Sequence, residues 1–190
     1  PIRDKEIIDT ELQLKDLETV ENRIKRVEKI AKVGGDKQAK VEYDVLMAYR
    51  DALLQGRSAR TVQFESPEEQ RAAKGLFLLT SKPVLYVCNV DEGSAATGNA
   101  YVEQVREAVK DEGAEVLILA AQTEADIAEL ETYEERQMFL ADAGLEESGC
   151  NRLIKAAYKM LELETFITAG EMEVKAWTYR RGWKAPQCAG

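Results

Sequence analysis

The chain contains no histidine. That absence removes the commonest general base, and with it the His-containing zinc sites and the Ser-His-Asp and Cys-His nucleophile arrangements. Its three cysteines, Cys88, Cys150 and Cys188, stand far apart without C-x-x-C spacing. No signal peptide or long apolar run is visible, so a soluble, reducing, cytoplasmic setting without a membrane partner is expected. Charge of one sign is short as well: 26 Lys and Arg face 35 Asp and Glu, a formal net charge of -9. That balance argues against a polyanion bound over the whole surface, but not against a local basic patch. Also missing is any G-x-x-x-x-G-K-[ST] sequence, the loop that cradles β- and γ-phosphates and supplies a Mg²⁺-binding hydroxyl. The length of 190 residues suits one domain, or a domain with an appendage. The start at Pro1 and the stop at Gly190 read as cuts at both ends.

What is present is organised by period. From Leu17 through Val20, Ile24, Val27 and Ala31 the apolar steps alternate three and four, the a/d seam of a coiled coil. Gly34 and Gly35 interrupt it, and a second helical pattern runs through Val41, Val45, Leu46, Tyr49, Ala52 and Leu53 to Gly56. The spacing predicts an antiparallel helical arm over about 10–56. Ser66-Pro67-Glu68-Glu69 is a capping box with a first-turn proline, opening a helix expected to reach about Leu79. Residues 83–89 (PVLYVCN) and 115–121 (EVLILAA) are short apolar runs expected as strands of a parallel sheet, buried on both faces. A helix marked by Val102, Val105 and Val109 lies between them and ends at Gly113. Further helices are expected from about Glu124, Thr132 and Asn151, the last with Ile154, Ala157, Tyr158 and Leu161 on its inner face. Two β-like runs, 165–169 and 173–179, close the chain.

In open α/β sheets, ligands bind beyond the carboxyl ends of the strands. That edge offers Asn89, Val90, Asp91 and Glu92 after one strand and Ala120, Ala121 and Gln122 after the next. The Asn89 amide can bridge neighbouring loops, the Val90 backbone can pair with a base edge, and the small alanines permit close approach. On spacing alone, an Asn ending a strand also reads as an ordinary turn residue. The arm carries Arg23, Lys25, Arg26, Lys29, Lys32, Lys37 and Lys40 around its tip, either a solvated coiled-coil face or a contact to RNA phosphates. Lys175, Arg180, Arg181 and Lys184 form another basic segment. Trp177 and Trp183 could stack on bases, but core packing is the expectation for Trp177. Cys88 is expected as a core thiol, and Glu68-Glu69, Glu134-Glu135 and Glu146-Glu147 as helix-start charges.

The runs DKEIIDTELQLKDLETVENRI, KPVLYVCNVDEG, EADIAELE and GLEESGCNRLIKAAYKMLELETFITAGEMEVKAWTYRRGWKAPQCAG resemble the YchF-type Obg-like ATPases over nearly the whole chain. The resemblance implies an α/β fold: part of a P-loop NTPase parallel sheet, an inserted antiparallel coiled-coil arm, and the start of a β-grasp (TGS) domain. The implied boundaries are 1–80 for the helical region, 81–163 for the carboxyl-terminal half of the NTPase domain and 164–190 for the TGS start. By the same resemblance, Asn89, Val90, Asp91 and Glu92 are an N-x-x-E version of the N-K-x-D base motif of GTPases, with Ala120, Ala121 and Gln122 in place of the later Ser-Ala-Lys loop. It implies ATP as the preferred nucleotide with GTP weaker, ribosome or rRNA as partner, and Mg²⁺ only with a P-loop part. Without that loop, no catalytic or metal-binding residue is assigned and the chain alone is expected to hydrolyse nothing. An adaptor for RNA or the ribosome without hydrolysis is the alternative. With a sheet edge lacking its neighbours, the chain alone is expected either to self-associate through that edge or to bind nucleotide only weakly.

Overall fold

A computed structural model describes residues 1–33 and 36–188; Gly34 and Gly35, the expected tip of the arm, lie outside the described residues. The chain divides into two compact units, Pro1–Pro83 and Val84–Gly190.

The first unit is a helical hairpin with a short helical extension. Helix α1, Ile2–Val33, has 32 residues and is therefore ~48 Å long. Helix α2, Lys37–Leu54, opens on Asp36, whose carboxylate accepts the Gln38 and Ala39 amides at 2.8 and 3.1 Å. Val20 and Val27 of α1 pack in one core with Val45, Leu46, Tyr49 and Leu53 of α2. Burying each of the aliphatic side chains contributes about 1.5–3 kcal/mol, which outweighs helix propensity as the reason the pair forms. Helix α3, Pro67–Gly75, has the expected Ser66/Glu69 capping box, but it stops before Leu79. Phe77 has a φ of 51°, outside helical space, and Leu79–Ser81 forms a separate 3-10 turn. The cause is Asp16 of α1, only 2% exposed, which captures that turn. Its carboxylate accepts the Leu79 amide at 2.8 Å and the Thr80 amide and hydroxyl at 2.7 Å each.

The second unit begins with β1, Leu85–Asn89, crosses through α4, Ala100–Val109, and returns as β2, Glu115–Leu119. The strands pair in parallel from Leu85↔Glu115 to Asn89↔Leu119, a register that requires such a crossover. Leu117 and Ile118 of β2 are buried, whereas Val87 of β1 is 44% exposed. The expectation of a strand buried on both faces is corrected for β1, and among the described residues no strand flanks its other edge, so no neighbouring strand's side chains shield it on that side. β2 stops at Leu119, earlier than expected, because Ala121 already opens α5, Ala121–Glu129.

Helices α6, Tyr133–Asp142, and α7, Gly149–Met160, follow. The inner face of α7 differs in part from the expectation: Ala157 and Tyr158 are half-buried, but Ile154 and Leu161 are 56% and 49% exposed, and Gly149 and Ala156 are the buried residues. Gly149 meets Leu119, and Arg152 donates to the Ile118 carbonyl at 3.0 Å, so the stripe 149–152–156 faces β2 and Ile154 is rotated outward. Strands β3, Leu163–Ala169, and β4, Val174–Arg180, form an antiparallel hairpin with Phe166 opposite Trp177. Trp177 is 41% exposed and lines a cleft of about 570 Å³ with Phe166, Tyr179 and Trp183, contrary to the core role expected for it. Ala185 and Cys188 of the short segment that follows line the same cleft without closing it, and the indole is held by the Thr168 hydroxyl at 2.9 Å and by Lys175, 4.1 Å above the ring. A four-residue helix α8, Ala185–Cys188, ends the described chain. No described helix is long and apolar enough to cross a membrane.

Candidate functional site

The carboxyl ends of β1 and β2 stand side by side, and the loops that follow them are bonded to each other. The Val90 amide donates to the Leu119 carbonyl at 2.9 Å, extending the ladder one step beyond β1. The Ala121 amide donates to Asn89 Oδ1 at 3.0 Å. That bond has a specific cause. Helix α5 has Ala120 at its N-cap, a residue with no side-chain acceptor for the first orphan amides, and Asn89 supplies the missing acceptor from the neighbouring strand end.

The other candidate residues take distinct places around this link. Asp91 is turned to local use: its carboxylate accepts the Ser94 amide at 2.9 Å and caps the short turn Glu92–Ser94. Glu92 and Asn89 are exposed, Val90 is half-buried, and Ala120 is buried against the sheet at 4% exposure. Gln122 donates to Asp126 Oδ1 at 2.9 Å and lies along α5. The edge thus presents backbone polar groups, small side chains and the exposed Asp91 and Glu92, of which only Glu92 makes no capping bond, a set that can read hydrogen-bonding edges of a planar ligand but supplies no cation for phosphate. Among the described residues, no group of three or more His, Cys, Asp or Glu side chains is placed to hold a metal ion. Burial pushes the Cys88 thiol up despite the opposing Arg106 charge, as suits a packed thiol and not a nucleophile.

Glu124, Gly149 and Arg152, which join α5, α7 and β2 behind this edge, were not visible to sequence reading. The signal for Glu124 is absent from the chain itself, since a Glu in the first turn of a helix is ordinary.

The basic residues of the arm separate into two groups. Lys25, Lys29 and Lys32 recur at helical spacing on the side of α1 away from the Val20–Val27 seam, with Arg26 beside them, and all four are exposed. Lys32 also pairs with Glu28 at 2.5 Å. Lys37 and Lys40 are exposed on the first turn of α2. Arg23 is different: its guanidinium donates to Glu42 of α2 at 2.5 Å and so ties the two helices together. With Lys37, Glu42, Arg71 and Leu76 it lines a cleft of about 570 Å³.

A parallel strand–helix–strand edge with cross-bonded loops, in a chain that also carries a long helical hairpin, defines an α/β protein with a helical arm. Over its whole length the chain is similar to proteins of the YchF/Obg-like ATPase family. It is 50% identical to "Ribosome-binding ATPase YchF" of Bacillus subtilis and 48% identical to the protein of that name from Escherichia coli O157:H7, matching over its whole length 52% and 51% of those chains. Against "Obg-like ATPase 1" of Rattus norvegicus it is 40% identical, covering 48% of that protein. The chain therefore spans about half the length of the curated relatives it matches. The structure of the Schizosaccharomyces pombe YchF GTPase superposes on all of it with a TM-score of 0.88 at 29% identity, again over 52% of that chain. A family model for the YchF GTPase carboxyl-terminal region, described as a protein of unknown function (DUF933), matches residues 163–190.

Proposed function

We infer that this chain carries the base-recognition half of a nucleotide-binding, ribosome-associated cytoplasmic ATPase, with ATP preferred to GTP. The observation that carries the reading is the Asn89–Ala121 bond, which holds the two ligand-facing loops in one frame. In a guanine site an aspartate accepts from the base N1–H and its exocyclic amine; adenine N1 is an acceptor and would repel that carboxylate. Here Asp91 is occupied as a cap and the carboxylate at the motif's last place is the longer Glu92, while Val90 offers no lysine stem along the base. The base then meets the Val90 and Ala121 backbone and the Gln122 side chain. Phosphate binding, Mg²⁺ and hydrolysis belong to a P-loop part, for which no described residue set fits. In this reading 1–80 is a helical region with the arm, 81–163 the NTPase half and 164–190 the start of a TGS domain, while the free β1 edge favours self-association when its neighbours are absent. Asn89→Ala in the full-length polypeptide is expected to weaken ATP binding about tenfold, the worth of a cap whose loss also loosens the loop. Isothermal titration measures it, and wild-type affinity in the variant would refute the base-site assignment.

A second reading, an RNA- or ribosome-binding adaptor, is favoured by the exposed Lys25/Lys29/Lys32 stripe on an otherwise acidic chain. Changing Lys25, Arg26, Lys29 and Lys32 together to Glu reverses four charges without touching the Val20–Val27 seam. Cosedimentation with ribosomes at low salt is expected to drop by at least about tenfold, with a shallower salt slope. Equal binding at every salt concentration would remove the arm as the contact.

A further inference from the structure

The loop that follows β2 forms the first turn of α5, and that helix is fastened from behind as well as from the strand side. One turn into α5, the Glu124 carboxylate accepts the Gly149 amide at 2.5 Å and the Cys150 amide at 3.1 Å. These are the first amides of α7; its own cap, Ser148, takes only the Asn151 amide, at 3.2 Å. Two otherwise orphaned donors are thus satisfied by a negative group at the positive end of a helix, and such charge-assisted bonds are about twice as strong as neutral ones. The close approach depends on glycine. A Cβ at position 149 would stand 2.9 Å from Glu124 Oε1, closer than real Cβ contacts, and at a tight 3.1 and 3.2 Å from Leu119 Cδ1 and Cγ. Arg152 completes the fastening by donating to the Ile118 carbonyl at the end of β2. The first turn of α5 is consequently held at two points: Asn89 of β1 caps it, and Glu124 locks it to α7.

We propose that Glu124 is a positioning residue for base recognition, its carboxylate setting the angle of α5 and therefore the placement of Ala121 and Gln122 against the base. The proposal rests on the base-site reading above. It predicts an effect on the base alone, because phosphates are bound elsewhere, and α7 becomes part of the nucleotide site although it never touches the ligand. Glu124→Gln keeps the volume but loses the charge and offers one acceptor where two amides need acceptors. In the full-length polypeptide this variant is expected to bind ATP about tenfold more weakly, as for loss of a charge-assisted bond, while its affinity for inorganic tripolyphosphate stays within twofold of wild type. Gly149→Ala, which displaces the same carboxylate from the other side, is expected to give the same split. A structural role alone would lower both ligands in parallel, so equal losses, or no loss of ATP affinity in either variant, would overturn the proposal. Asn89→Ala measured alongside separates the two levels. If Asn89→Ala loses ATP affinity selectively and the Glu124 and Gly149 variants do not, only the role of Glu124 falls; if Asn89→Ala also binds ATP normally, the base site itself falls and the proposal with it.

Discussion

Replacing Asp16 with alanine is expected to destabilise the helical unit by about 3 kcal/mol, the scale for stripping a buried acceptor from several donors at once. The carboxylate sits at 2% exposure and takes three hydrogen bonds from Leu79 and Thr80. The Thr80 hydroxyl that donates to it also accepts the Ala59 amide at 2.9 Å, so the network binds the segment after α2, the turn after α3 and the middle of α1 into one node. Alanine leaves the buried Thr80 amide and the proton of its hydroxyl without an acceptor, and removes the protein acceptor of the part-buried Leu79 amide. Urea denaturation followed by helical circular dichroism on the 190-residue chain is the measurement. A change below about 1 kcal/mol, the usual net worth of a single neutral hydrogen bond, would show that water reaches the node and replaces the carboxylate.

The double change Val90→Lys with Glu92→Asp is expected to move the ATP-to-GTP affinity ratio toward GTP by on the order of 10- to 100-fold in the full-length polypeptide, the range for one correctly met polar edge of a base. The shorter carboxylate is drawn back toward the position where guanine offers N1–H and its amine, and a lysine stem is restored along the base plane. Both side chains have room to change: Glu92 is exposed and makes no capping bond, and Val90 contributes its backbone amide, not its side chain, to the sheet. Competition of the two nucleotides against a fluorescent analogue reads the ratio directly. An unaltered ratio would place base discrimination on other residues, Gln122 first among them.

Elements whose chemistry is local were legible before any coordinates. The 3–4 apolar alternation from Leu17 to Ala31 marked the seam of α1, the Ser66/Glu69 pair marked a helix start that is a capping box in the structure, and the helix expected from about Thr132 opens on that residue. The apolar runs at 83–89 and 115–121 contained β1 and β2, which pair in parallel around α4. Of the site, Asn89 and Ala121 were picked out by their place at the strand ends, and they are bonded. Asp91 was picked out with them, yet its carboxylate is spent on the Ser94 amide, a competition that an N-x-x-E pattern does not reveal.

Periodicity along the chain thus determined which residues are helical, which are extended, and which side of α1 is apolar. Residues far apart in sequence decided the rest. Asp16 and Thr80 are 64 positions apart, and only their meeting turns a charged residue in the middle of a helix into a buried anchor that ends α3 early. Gly149 against Leu119 rotated α7 so that Ala156, not Ile154, faces the sheet. Trp177 lines an open cleft because burial depends on what lies across from a hairpin face, and that information is not contained in the hairpin. The physical reason is common to all three: propensity, capping and amphipathic period act over one or two turns, whereas burial and hydrogen-bond partnership depend on which surfaces come together.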